Sequence, residues 1–218
     1  MYIIYFLFCF LLPTQLGKHF FFDFSYLGGV RIDYLAPTLY LTDIFALILI
    51  LFNYKTILTF FKKKLFLWLF VFLCINALFA WSKPIFFYRF IKLFEVFALF
   101  AIFKKQFPKY KKAIIGGFAF SVFIQSILVV SQFITRHSLQ GIWYFFGERY
   151  FTLSTPGIAK AALQGNEILR AYGTFSHPNS LAGFFLLIYL FFLTNNRVTN
   201  LVLKYAVLAL CSLIIFLS

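Results

Sequence analysis

The sequence predicts an all-α protein that crosses a membrane about seven times. Its 218 residues are 63% hydrophobic and 24% aromatic, with 12% charged and a mean hydropathy of +0.91. A soluble domain is nearer half apolar. Apolar blocks recur along the whole chain on the scale of a bilayer, whose core of about 30 Å takes about 20 helical residues. The lysines gather in short clusters between those blocks, as in the cytoplasmic connections of membrane proteins.

Taken in order, the blocks are Met1–Leu16, Leu35–Phe52, Leu65–Trp81, Ile85–Phe103, Ala113–Ile134, Pro178–Leu193 and Val198–Leu217. The first lacks the basic start and small-residue cleavage site of a signal peptide, so it reads as a retained helix that Pro13 ends or kinks. The first and sixth are short for a span and call for tilt, local thinning or burial among other helices. Lys55, Lys62, Lys63 and Lys64, then Lys104, Lys105, Lys109, Lys111 and Lys112, make two dense clusters. These place the N-terminus in the cytoplasm and the C-terminus outside. The whole chain, 1–218, reads as one transmembrane domain with outer loops at about 15–34 and 135–176. The second loop is long enough to be functional, and its aromatic residues predict packing on the membrane surface.

Other classes are excluded on composition. The net charge of +14 sits in membrane connections and leaves no basic surface domain for nucleic acid. Cys9, Cys74 and Cys211 each lie inside an apolar block and read as small hydrophobes. No cysteine, histidine or carboxylate pattern indicates a metal, and no cofactor motif is present. Lys92 and Glu95 share a helical face and can pair, and Asp43 can pair with Arg89 or Lys92.

The densest polar segment runs from Arg170 to Gly183, Arg-Ala-Tyr-Gly-Thr-Phe-Ser-His-Pro-Asn-Ser-Leu-Ala-Gly, directly into an apolar helix. Polar groups at a membrane boundary are expensive to bury. Gly173 permits a tight turn. Pro178 suits the first helical position, with Ser176 or His177 at the cap. One reading is a well-capped helix start. The other is an anion site, in which Arg170 and His177 stand beside helix N-terminal amides that favour phosphate or diphosphate. Arg149, Glu148, Lys18, His19 and Arg31 with Asp33 fall on the same side. Singly they read as interfacial or surface charges; together they could line a basic, aromatic-walled cavity.

This segment resembles the central motif of the O-antigen ligase and O-antigen polymerase-like membrane glycosyltransferases, through Arg170, Gly173, Thr174, Phe175, His177, Pro178 and Asn179. A weaker likeness lies in Pro13–Phe20 and Arg31–Pro37. The resemblance implies the N-terminal half of a C-type membrane glycosyltransferase in the bacterial cytoplasmic membrane. Such an enzyme takes a glycan from an undecaprenyl-diphosphate carrier at the outer face, without metal or other cofactor. It passes the glycan to lipid A-core or to another glycan or protein acceptor. The resemblance makes Arg170, Gly173, Thr174, His177, Asn179, Arg149, Lys18 and Arg31 the expected diphosphate- and glycan-binding residues. Family members continue past the position of Ser218 into a second outer loop carrying the proposed catalytic His, to which no residue here corresponds. The catalytic residue is therefore unassigned, and this chain is expected to be inactive alone. A non-catalytic subunit that binds or moves a lipid-linked oligosaccharide is the alternative. A transporter fragment fits less well, because the polar density lies at helix ends.

Overall fold

Lysine is a good helix former, and the largest element follows from that. The computed structural model describes residues 1–163 and 165–218. The elements in chain order are α1 (Tyr2–Leu11), β1 (Gly17–His19), β2 (Tyr26–Leu27), β3 (Val30–Arg31), β4 (Thr38–Tyr40), α2 (Leu41–Phe52), α3 (Tyr54–Phe61), α4 (Lys64–Phe79), α5 (Lys83–Thr135), β5 (Lys160–Leu163), β6 (Asn166–Leu169), α6 (Pro178–Thr194) and α7 (Leu201–Leu217). Helix dominates. Antiparallel pairs β1–β4, β2–β3 and β5–β6 are the sheets among the described residues.

The segment Lys104–Lys112, expected as a loop, is helical. It joins two apolar blocks into the 53-residue α5, which contains Pro108 and departs from helical geometry at Tyr110. The chain divides at that point into two compact units, Gly17–Tyr110 and Met1–Leu16 with Lys111–Ser218.

The expectation of about seven membrane spans is overturned. Among the described residues one helix, Lys83–Thr135, is long and apolar enough to cross a membrane, and the bent α2–α3 pair becomes a second only if it forms a single span. The remaining apolar blocks lose residues to other structure. The first stops at Leu11, and the second begins as strand β4 and turns helical only at Leu41. Helices α6 and α7 have 17 residues each, about 26 Å at 1.5 Å per residue against a core of about 30 Å.

In the Gly17–Tyr110 unit, α2 and α3 meet at an angle of 82°. Asn53 makes the corner: its Nδ2 donates to Leu49 O at 2.8 Å, and its Oδ1 accepts from Gln106 Nε2 at 2.9 Å. The start of α2 is closed by Asp43, whose carboxylate accepts from Tyr40 N at 2.8 Å. Asp43 also takes Lys92 Nζ at 2.5 Å, and Glu95 lies 3.4 Å from the same ammonium. This half-buried trio places the sequence-expected Asp43–Lys92 and Lys92–Glu95 pairs together.

In the other unit, α1 runs alongside α5 in the same direction. Gly117 is the reason for the close approach, since a Cβ there would lie 2.5 Å from Phe6 O and 2.9 Å from Cys9 Cβ. Farther along, Phe10 packs on Phe120 at 4.9 Å. Helix α6 returns antiparallel to α5, with Phe191 against Phe118 at 5.7 Å. Helix α7 then brings Leu217 back to Ala171, whose N–H donates to Leu217 O at 2.9 Å. The core is lined by Tyr5, Cys9, Leu128, Phe185, Phe192 and Cys211, all fully buried. At one end of this bundle lie Lys111, Lys112, Arg197 and Lys204; Lys204 Nζ donates to Leu193 O at 2.9 Å at the foot of α6. The Arg170–Asn179 segment closes the opposite end.

Candidate functional site

The polar segment is held by two glutamines of α5. Gln125 and Gln132 are seven residues apart, two turns on one face of an otherwise apolar stretch. Gln132 is fully buried. Its Oε1 accepts from Tyr172 N at 3.0 Å and Gly173 N at 2.8 Å, while its Nε2 donates to Gly173 O at 3.0 Å and Glu148 Oε1 at 2.8 Å. One side chain thus fixes the turn of the motif and the carboxylate of the preceding loop. Gln125 Nε2 donates to Thr174 Oγ1 at 2.9 Å, and Thr174 Oγ1 donates to Pro13 O at 2.6 Å. Gly173 sits at φ +55, and a Cβ there would lie 2.7 Å from Gln125 Oε1. Only glycine meets both conditions without strain.

Glu148 is the buried anion of this end, at 3% exposure. Leu139 N donates to its Oε1 at 2.9 Å and Gln140 N to its Oε2 at 2.5 Å. Charge-assisted amide bonds of this kind hold a carboxylate without a cation. They also hold Gln140 at φ +59 and ψ −147, a region otherwise kept for glycine. Beside it, Gly147 (φ +90) presses on Gln15 and Leu16, where a Cβ would meet backbone at 2.7–2.8 Å.

Of the expected site residues, Arg170, Gly173, Thr174, His177, Asn179 and Arg149 come together in this unit. Gly173 and Thr174 are buried and shape the turn. Arg170 is committed locally, its Nε donating to Ser218 O at 2.6 Å and its Nη2 to Asn179 Oδ1 at 2.8 Å. His177 is the N-cap of α6 with Pro178 at the first position, and its Nδ1 accepts from Asn179 N at 3.2 Å. Ser180 and Leu181 N–H groups turn back to His177 O at 3.1 and 3.2 Å. The amides expected to face an anion are therefore largely occupied.

The accessible cation is Arg149. It is exposed, and its Nη1 reaches Ser176 O only at 3.5 Å. Arg149, Tyr150, Thr155, Tyr172, Ser176 and His177 line a cleft of about 130 Å³. Phe151, Leu169 and Tyr172 form the apolar floor beneath it, and Tyr172 Oη accepts from Ala159 N at 2.7 Å. The lining holds one guanidinium, one imidazole and hydroxyls, with no carboxylate. Such a set can take a small anionic group by charge and hydrogen bonding.

Lys18 and Arg31 belong to the Gly17–Tyr110 unit, each beside its own neighbours. Lys18 Nζ lies 5.6 Å from the Phe20 ring. Arg31 pairs with Asp33 at 3.1 Å and stands over Phe21 at 4.7 Å. Among the described residues no three of His, Cys, Asp and Glu gather as a metal ligand set. The two residues that sequence reasoning passed over are Gln125 and Gln132. Their signal was present as a seven-residue polar repeat in an apolar helix.

Comparison of the chain with protein-family models, curated proteins and solved structures returned no match.

Proposed function

We propose that this protein binds the diphosphate of a lipid-linked glycan at the outer face of the bacterial cytoplasmic membrane. In this reading it serves glycan transfer of the O-antigen ligase or polymerase type. The observation that carries the reading is the joining of Arg149 and His177 in one cleft, immediately before the apolar helix α6. A guanidinium offers bidentate bonds to phosphate that are roughly twice as strong as neutral ones, and the apolar helix offers a path for a lipid tail. Arg170 takes a positioning role in this scheme: it orients Asn179 at the helix start.

Orientation follows from the lysines. Beyond the Lys104–Lys112 run, α5 carries no charged residue from Ala113 to Ile134. The basic run favours the cytoplasmic side, and α1 begins at the same end as this stretch. Both support a cytoplasmic N-terminus and an outward-facing cleft.

A second reading, carrier binding without transfer, is favoured by Glu148. It is the carboxylate nearest the cleft in sequence, and donors occupy both of its oxygens. It is therefore a poor general base. Both readings share the binding step, so affinity for an undecaprenyl-diphosphate analogue is measured first, in detergent. Arg149→Ala should weaken it at least about tenfold and Arg149→Lys less, because lysine keeps the charge and loses the fork. His177→Ala should weaken it by a smaller factor. Equal affinity for wild type and Arg149→Ala would sink the site. A turnover assay with glycan carrier and acceptor then separates the two readings: turnover supports transfer, and carrier binding without turnover supports the second.

A further inference from the structure

Two further cavities in the Gly17–Tyr110 unit adjoin through contacting phenylalanines. The first, about 360 Å³, is lined by Thr56, Thr59, Lys63, Lys104 and Lys105, with Phe60 and Ala101. The second, about 510 Å³, is a groove walled by Phe66, Phe70, Leu73, Phe90 and Phe97 among other apolar side chains, with Lys62 the charged residue in its lining. They adjoin through ring contacts: Phe60 of the first meets Phe66 and Phe61 of the second at 4.5 Å and 5.6 Å. The Asn53 corner makes this arrangement, because the 82° turn carries α3 across toward the lysines of α5.

No carboxylate lines either cavity. None of the ion pairs among the described residues involves Lys63, Lys104 or Lys105. Three ammonium groups and two threonines therefore share a pocket beside an apolar groove sized for a small ligand, which typically takes roughly 300–1,000 Å³.

We propose that the pair of cavities is a binding site for an anionic phospholipid, with the phosphate among Lys63, Lys104 and Lys105 and an acyl chain in the phenylalanine groove. Charge selects this occupant. A zwitterionic lipid brings its own ammonium against the lysines. A soluble phosphate leaves the groove empty. A peptide would bury backbone polar groups against phenylalanine without partners. Basic pockets between helices near the cytoplasmic face are where anionic headgroups collect. Lys104 and Lys105 lie within α5, the helix of the described residues that is long and apolar enough to cross a membrane. The site is independent of the carrier cleft and stands or falls separately from it.

The test uses the full chain in detergent, with short-chain phosphatidylglycerol, phosphatidylcholine of the same chains, and glycerol phosphate as probes, read by native mass spectrometry. Phosphatidylglycerol should bind about tenfold or more tighter than phosphatidylcholine. Combined Lys63→Gln, Lys104→Gln and Lys105→Gln should abolish that preference. Combined Lys109→Gln, Lys111→Gln and Lys112→Gln removes equal charge outside the pocket and should preserve it. Leu73→Trp fills the groove and should weaken phosphatidylglycerol several-fold. Equal binding of the two lipids, equal loss in the control triple variant, unchanged affinity in Leu73→Trp, or glycerol phosphate binding as tightly as the lipid would each overturn the proposal.

Discussion

Replacing Gln132 by alanine should loosen the whole Met1–Leu16 and Lys111–Ser218 unit. The side chain is fully buried and holds four hydrogen bonds, to Tyr172 N, Gly173 N, Gly173 O and Glu148 Oε1, at 2.8–3.0 Å. Its removal orphans two buried amides and a carbonyl, at about 1–3 kcal/mol each, and takes a donor from a buried carboxylate. The total, about 3–9 kcal/mol, is a large share of a typical stability of about 5–15 kcal/mol. At about 2–4 °C per kcal/mol for a chain of this size, melting should fall by about 6 °C or more. The protein carries its own reporters, because Cys9 and Cys211 are buried in this unit and Cys74 is exposed. With Cys74→Ser removing background, a thiol-reactive dye reads the opening of this unit on heating. Gln132→Glu supplies the contrast: it keeps the acceptor oxygens but sets a second carboxylate against Glu148. The variant should also melt below wild type, because two carboxylates then face each other at hydrogen-bond distance in a buried site. Melting of Gln132→Ala within about 2 °C of wild type would refute the assignment of Gln132 as the hub.

Gly117→Ala should push α1 away from α5, and Cys9 should become reactive toward a maleimide at room temperature while Cys211 stays protected. Gln140→Gly should raise the melting temperature, since it removes a side chain from φ +59 and ψ −147, a conformation that costs about 1–3 kcal/mol outside glycine. Asp43→Ala should cost the Gly17–Tyr110 unit about 1–2 kcal/mol. It removes both the helix cap on Tyr40 N and a partly exposed partner of Lys92; loss of helical circular dichroism in denaturant measures the change.

Local chemistry was legible and tertiary commitment was not. Pro178 marked the first position of α6, and His177 is the cap beside it, because capping depends on neighbours two or three residues away. Hydrophobic content alone did not fix helix length. The block Leu35–Phe52 reads as one span, yet its residues 38–40 pair with 17–19 as strand. The lysine run at 104–112 looked like a loop because its charge was weighed and its helix propensity was not. In the site, Glu148-Arg149 reads as two surface charges, and the fold separates them, one buried under four donors and the other facing the cleft. The bonds that decide this join Gln132 to residues 16 and 41 positions away, a separation that periodicity does not encode.

The bond from Thr174 to Pro13 spans 161 positions of the chain. At about 5–20 residues per second, a ribosome takes roughly 8–32 s to travel that distance. Throughout that interval the Pro13 carbonyl waits without its buried donor. The face of α1 that later meets α5 lacks its partner until Gly117 has been made. Early synthesis therefore leaves a sticky apolar segment in search of company, and assembly of this unit is a late event timed by the arrival of residues 172–174. Mutations that slow translation or stall it before Thr174 should raise turnover of the nascent protein without altering the finished fold.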